Sequence, residues 1–242
     1  MPHATRDGVA LFWTAEGNPD GPPLLLLNSI GTDMGVWDRL VPLLSPTFSL
    51  LRMDTRGHGR SDAPEGDYSL AMLAADAFAV MDAAGLATAA VCGLSLGGMI
   101  AMTMALAAPA RVEALILACT SASMDRPSWD ARAARVRSSG MAVITEMALE
   151  RFFSDAFRAA HPEIVAPIRD GLLATSREGY AACACAIRDM NLAPRLGAIA
   201  APTLVIIGTK DVSTPLAGHG DALVWGIPGA RLATLEAAHL AS

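Results

Sequence analysis

The sequence predicts an α/β protein: one mostly parallel central sheet, helices on both of its faces, and a helical cap inserted late in the chain. Three observations carry this. Short apolar runs alternate with longer helical stretches through residues 1–120, the pattern of strand–helix–strand units. Strand character then disappears from about Ser121 to Pro194 and returns at Pro202-Thr203-Leu204-Val205-Ile206-Ile207. Between them, Gly93-Leu94-Ser95-Leu96-Gly97 sits where an apolar, strand-like piece meets a helix-like piece rich in Ala, Leu and Met.

The bulk properties fit one large domain. A chain of 242 residues, 52% apolar, is long enough for a full core. Its most apolar run, Pro22-Pro23-Leu24-Leu25-Leu26-Leu27, is far too short to span a bilayer. A net charge of −6 argues against nucleic acid and anionic membrane as partners. No basic segment leads into an apolar run at the start, so no export signal is visible. Cys92, Cys119, Cys183 and Cys185 show neither disulfide nor metal spacing, and Cys183 and Cys185, two apart in a helical stretch, are expected to point to different faces. Free thiols without an export signal favour the cytoplasm.

Taken in order, Val9 to Ala15 and Pro22 to Asn28 read as strands joined by the turn Glu16-Gly17-Asn18-Pro19-Asp20-Gly21. The polar loop Asn28-Ser29-Ile30-Gly31-Thr32-Asp33 then leaves the C-terminal end of a buried strand, the edge where ligands bind in open α/β sheets. Thr47 to Met53 forms the next strand and ends in Asp54-Thr55-Arg56-Gly57-His58-Gly59. His58 lies between glycines and precedes the serine, so it reads as structural, with Asp54 and Arg56 bracing the loop. Ser69 caps a helix whose apolar face runs from Leu70 to Ala84 and which Gly85 stops. The strand before Ser95, the helix after it to Ala108-Pro109, and a strand from Val112 to Ala118 follow. Helical segments at Trp129 to Arg137, Ala142 to Ala156 and Ile164 to Ala174 fill 121–194, a stretch too long for a loop and read as the cap. The core is accordingly 1–120 and 195–242. A short helix near Ala217 to Trp225 and a last strand, Ala230 to Leu235, lead to Glu236-Ala237-Ala238-His239.

The chemistry is organised around Ser95. A serine on a sharp strand-to-helix turn projects its Oγ beyond the sheet, and the Leu96 N–H at the helix start can hold an oxyanion. Flanking glycines are required because side chains there would strike the neighbouring strand and helix. The Ile30 N–H is the candidate second oxyanion donor. Such a serine needs an imidazole base and a carboxylate behind it, in the chain order serine, acid, histidine. Of the histidines after Ser95, His161 falls in the cap and His219 in a helix expected to face away from the strand ends. His239 follows the last strand and is the candidate base. Asp211, after the strand ending at Gly208, is the candidate acid, with Asp125 its rival. Serine with oxyanion donors suits attack on a carbonyl, not on saturated carbon, and acyl transfer to water needs no cofactor and no metal.

At these positions the chain resembles the β-ketoadipate enol-lactonases of the α/β-hydrolase superfamily. The resemblance rests on Asn28-Ser29-Ile30-Gly31-Thr32-Asp33 with Trp37, on Asp54-Thr55-Arg56-Gly57-His58-Gly59, and on Cys92-Gly93-Leu94-Ser95-Leu96-Gly97-Gly98. It continues through Trp129-Asp130-Ala131-Arg132, Gly208-Thr209-Lys210-Asp211 and Ala237-Ala238-His239-Leu240. It implies an α/β-hydrolase fold and a small-molecule substrate, β-ketoadipate enol-lactone, opened to 3-oxoadipate in aromatic catabolism. That lactone carries a free carboxylate, for which Arg132 beside Trp129 is the candidate partner, with Arg135, Arg137, Arg151 and Arg158 the other cap arginines. Alternatives are a general carboxylesterase or lactonase, a carbon–carbon bond hydrolase, or a hydrolase-fold binding protein without turnover. Enzymes resembling this one continue past the last strand into a helix. With only Leu240, Ala241 and Ser242 after His239, the expectation is apolar surface left bare beside the last strands and a loosely held His239.

Overall fold

A computed structural model describes residues 2–240. Ala241 and Ser242 lie outside the described residues, while Trp225, Leu232 and Leu235, at and just before the last strand, are exposed, as the bare apolar surface expected there requires. The chain opens with a hairpin, β1 (His3–Arg6) and β2 (Val9–Gly17), closed by Asp7 and Gly8 at φ 52° and 78°, the left-handed pair that a tight two-residue hairpin requires. β1 is absent from the sequence reading. Its four residues, His-Ala-Thr-Arg, carry one buried side chain, so there is no apolar signal to find.

β3 (Pro23–Leu27) buries four consecutive leucines, as a strand covered on both faces must. A single helical turn, α1 (Val41–Leu44), precedes β4 (Ser49–Met53). Then α2 (Leu70–Ala83) starts at Ser69, whose hydroxyl accepts the Met72 N–H at 3.1 Å. β5 (Ala89–Leu94), α3 (Leu96–Ala107) and β6 (Val112–Ala118) follow. Five helices stand between β6 and the next strand: α4 (Arg126–Ser139), α5 (Ala142–Phe152), α6 (Asp155–Ala160), α7 (Pro162–Ala174) and α8 (Arg177–Arg188). β7 (Thr203–Gly208), α9 (Asp221–Gly226) and β8 (Arg231–Leu235) complete the described chain.

The expected helix from Ala142 to Ala156 is two helices. The chain extends at Phe153, and Ser154 caps α6 by accepting the Phe157 N–H. α8 was expected only as a helical stretch around Cys183 and Cys185, without bounds; every residue from Gly179 to Ile187 is buried. The stretch near Ala217 is kinked at Ala217 and Gly218 and becomes regular only in α9.

The strand order is β1-β2-β4-β3-β5-β6-β7-β8, antiparallel at the β1–β2 and β2–β4 pairings and parallel from β4 to β8. The chain steps from β3 outward to β4, then returns to build β5 on the other side. That reversal opens a crevice at the strand C-termini between β3 and β5, where ligands bind in such sheets. Register brings the strand ends level there: Leu27 pairs with Gly93, Leu94 with Ala118, and Gly208 with Leu235.

The five helices dock onto this edge through α8. Gly57 and Gly179 approach so closely that a Cβ on Gly57 would sit 2.5 Å from the Gly179 Cα. The Tyr68 N–H donates to the Ala182 carbonyl, and Cys183 Sγ–H to that of Arg56. Cys185 meets Arg137 on the α4 side instead, so the two thiols do face different ways. Among the described residues no helix is long and apolar enough to cross a membrane.

Candidate active site

Ser95 sits at φ 54°, ψ −113° between β5 and α3. This sparsely populated backbone region is costly for a residue with a side chain, and its surroundings hold it there. The Ser95 N–H donates to the Ala118 carbonyl at 2.9 Å, and the Thr120 hydroxyl donates to the Ser95 carbonyl at 2.6 Å. Around it the three glycines have no room for a Cβ. One on Gly93 would lie 2.2 Å from the Gly97 carbonyl oxygen, one on Gly97 2.1 Å from that of Leu27, and one on Gly98 2.6 Å from Thr120 Cγ2.

The sequence-predicted residues converge. Ser95 Oγ–H points at His239 Nε2 over 2.9 Å, and His239 Nδ1–H at Asp211 Oδ2 over 2.9 Å. All three are buried. Asp211 is held from every side: Oδ1 accepts the Ser213 and Thr214 N–H groups, and Oδ2 also accepts the Thr214 hydroxyl. Burial opposes its ionisation, yet the His239 bond and charge and the Thr214 donors outweigh it. The carboxyl is pulled down to about 2, so it is a carboxylate at any working pH.

The His239 loop is not loose. Its path is fixed by Lys210 N–H donating to the Ala237 carbonyl and Leu240 N–H to the Phe152 carbonyl. Gly208 makes room for it, since a Cβ there would stand 2.4 Å from the Ala237 carbonyl oxygen. The Phe152 ring lies parallel to the imidazole at 6.1 Å.

The rival groups are elsewhere. Asp125 caps α4, accepting from the Ser128 N–H and hydroxyl. His161 is exposed beside Glu163. His219 does not face away from the strand ends as expected. The kink at Gly218 turns it back, and its Nδ1 meets the Ser121 hydroxyl just beyond β6 at 2.8 Å. His58 is buried and accepts the Gly31 N–H on Nε2 at 2.9 Å, while its Nδ1–H reaches the Arg56 carbonyl. Burial lowers it to about 4, so it is neutral and braces the loop that carries Ile30. Asp54 accepts the Met34 and Arg60 N–H groups, and Arg56 forms a two-pronged pair with buried Asp76.

Ile30 lines the same pocket as Ser95 and His239. Among the described residues the Ile30 and Leu96 N–H groups donate to no protein acceptor, so both are open to a ligand oxygen. Asn28, which opens this loop, ties it to the sheet: its amide donates to the Met53 carbonyl and its oxygen accepts the Trp37 indole N–H. Trp129, Arg132, Arg151 and Tyr180 also line this pocket. The Arg132 guanidinium lies 4.3 Å over the Trp129 ring and meets the Tyr180 hydroxyl.

Thr120, Thr214 and Phe152 touch Ser95, Asp211 and His239 respectively, and the sequence reading missed them. Each acts through a partner far away in the chain or through a common residue type in a loop, which leaves no local pattern. Among the described residues no group of histidine, cysteine, aspartate and glutamate could hold a metal ion. Burial pushes the Cys119 thiol up to about 12, which removes it as a nucleophile.

A family model described as the alpha/beta hydrolase fold matches residues 22–242. A 3-oxoadipate enol-lactonase of Acinetobacter baylyi is 35% identical over 98% of this chain and 89% of its own length. An enol-lactonase from Burkholderia xenovorans superposes with a TM-score of 0.96 at 36% identity, covering 99% of this chain and 93% of that one. A hydrolase from Pseudomonas aeruginosa gives 0.94 at 41% identity, covering 98% and 90%.

Proposed function

Because the chain belongs to the α/β hydrolase fold family, we propose that it is a serine hydrolase of carboxylic ester bonds whose substrate is 3-oxoadipate enol-lactone. One observation carries the mechanism: the unbroken line of 2.9 Å hydrogen bonds from Ser95 through His239 to Asp211. His239 takes the Ser95 proton as Oγ attacks the lactone carbonyl. The resulting oxyanion is met by the Ile30 and Leu96 N–H groups, already without other acceptors. Collapse breaks the ring C–O bond, and the enol oxygen leaves with the proton that His239 carries. Water, activated by the same imidazole, then attacks the acyl-enzyme and frees Ser95, while the released enol relaxes to the ketone.

The substrate rests on the enol-lactonase relatives and on the cations that line the pocket. Trp129 and Arg132 are assigned to the bound lactone, with Arg132 toward its carboxylate. On this reading the chain divides into a hydrolase core, 1–120 and 195–242, and a cap, 121–194, that closes the pocket. A cytoplasmic setting fits the four free thiols. The experiment is a panel of lactones and esters compared by kcat/KM. The enol-lactone is expected to lead it, and equal or better use of neutral esters would move the substrate to the general carboxylesterases.

A further inference from the structure

We infer that Arg151, together with Arg132, forms a carboxylate-binding pair facing Ser95, and that Arg151 makes the pocket select esters and lactones bearing a free carboxylate over neutral ones of the same size. This rests on the hydrolase reading above. α5 carries Arg151 one residue before Phe152, the residue stacked on His239, so its side chain enters the pocket beside the base. α4 carries Arg132 to the same pocket.

The contrast with the other arginines of these helices is what points to a ligand. Arg126, Arg137, Arg158, Arg169, Arg177 and Arg188 each pair with an aspartate or glutamate. Arg135 is exposed to solvent. Among the described residues, Arg132 and Arg151 alone in this region are half-buried and without a carboxylate partner. The pocket wall contains no aspartate or glutamate at all.

Two guanidinium groups brought together out of full solvent repel each other, and a protein of net charge −6 has acids to spare for them. Burial and the neighbouring Arg132 both disfavour the charge on Arg151, moving its proton affinity down. An entering carboxylate removes that penalty and accepts charge-assisted hydrogen bonds from the planar guanidinium. A neutral ester must instead leave both cations uncompensated. Arg132 is already engaged by the Trp129 face and the Tyr180 hydroxyl. Arg151 has no such partner and is the freer of the two to follow the ligand. The same pair should hold simple dicarboxylates, which would act as competitive inhibitors.

The test compares monomethyl adipate with dimethyl adipate on the wild type, Arg151→Ala and Arg151→Lys, with adipate as inhibitor. The ratio of kcat/KM for the half-ester to that for the diester should fall about ten- to a hundredfold in Arg151→Ala and recover in part in Arg151→Lys. Inhibition by adipate should weaken in step and decline with added salt. If Arg151→Ala does not fold, Ser95→Ala with Arg151 intact should still be stabilised against heat by adipate and not by dimethyl adipate. An unchanged ratio in both variants, or no stabilisation by adipate, overturns the pair. No turnover of 3-oxoadipate enol-lactone by the wild type would defeat the hydrolase reading itself.

Discussion

At Ser95 the backbone strain, the packing and the chemistry are one arrangement. The residue tolerates φ 54° because the Ala118 carbonyl and the Thr120 hydroxyl grip its peptide groups on both sides. The glycines around it let α3 press onto β3, since a Cβ on Gly97 would strike the Leu27 carbonyl. In the proposed mechanism Asp211 has a different task, to fix which His239 nitrogen carries the proton and to stabilise the imidazolium. Asp211→Asn is therefore expected to keep the fold and lower kcat about 10⁴-fold, read by steady-state kinetics with circular dichroism as the control. Loss below about tenfold would mean the carboxylate only packs. At this scale the triad was legible in the sequence, because serine, acid and histidine each follow a strand in the required order. Thr120 was not, because its bond to the Ser95 carbonyl joins residues 25 apart, and Thr214 was not, because a threonine three residues after an aspartate is too common in turns to stand out.

Among the elements, α5 joins the inserted helices to the chemistry. Phe152 at its end stacks on His239, accepts the Leu240 N–H on its carbonyl, and walls the pocket with Arg151. Phe152→Ala opens space beside an imidazole that must stay aligned with Ser95. A roughly ten- to a hundredfold loss in kcat is expected, with KM for a small neutral ester changed less, and rescue by Phe152→Tyr. An effect confined to KM would make Phe152 a wall only. Most elements were legible from apolar runs and capping residues, such as Ser69 before α2. β1 was missed because an exposed edge strand has no apolar alternation. α8 was read only as a helical stretch around Cys183 and Cys185, because its small Gly, Ala and Cys residues give no bulky apolar stripe to set its bounds.

For the molecule as a whole, the inserted helices and the sheet meet where Gly57 and Gly179 touch, beside His58. That histidine is the clearest source of pH-dependent stability. Its folded value, about 4, lies below the ordinary 6.5. The unfolded chain therefore binds the proton more readily, and stability present above pH 6.5 is lost as pH falls toward 4. At about 1.4 kcal/mol per pKa unit the loss is roughly 3 kcal/mol. His58→Gln, which retains an acceptor for the Gly31 N–H, should flatten the fall in melting temperature between pH 6.5 and 4. An unchanged slope would place the acid sensitivity elsewhere. The sequence marked His58 as structural from its glycine neighbours. That it braces the Ile30 loop depends on β3 and β4 lying side by side, which no local pattern records.

The central claim is that Ser95 is the nucleophile of an ester-bond hydrolase, and turnover of 3-oxoadipate enol-lactone by Ser95→Ala against wild type tests it most directly. Wild type should open the lactone, and the alanine variant, folded by circular dichroism, should lose about 10⁴-fold or more in kcat, with His239→Ala adding little to it because the residues act as a unit. Near-normal turnover by Ser95→Ala would contradict the covalent mechanism and the site built around it.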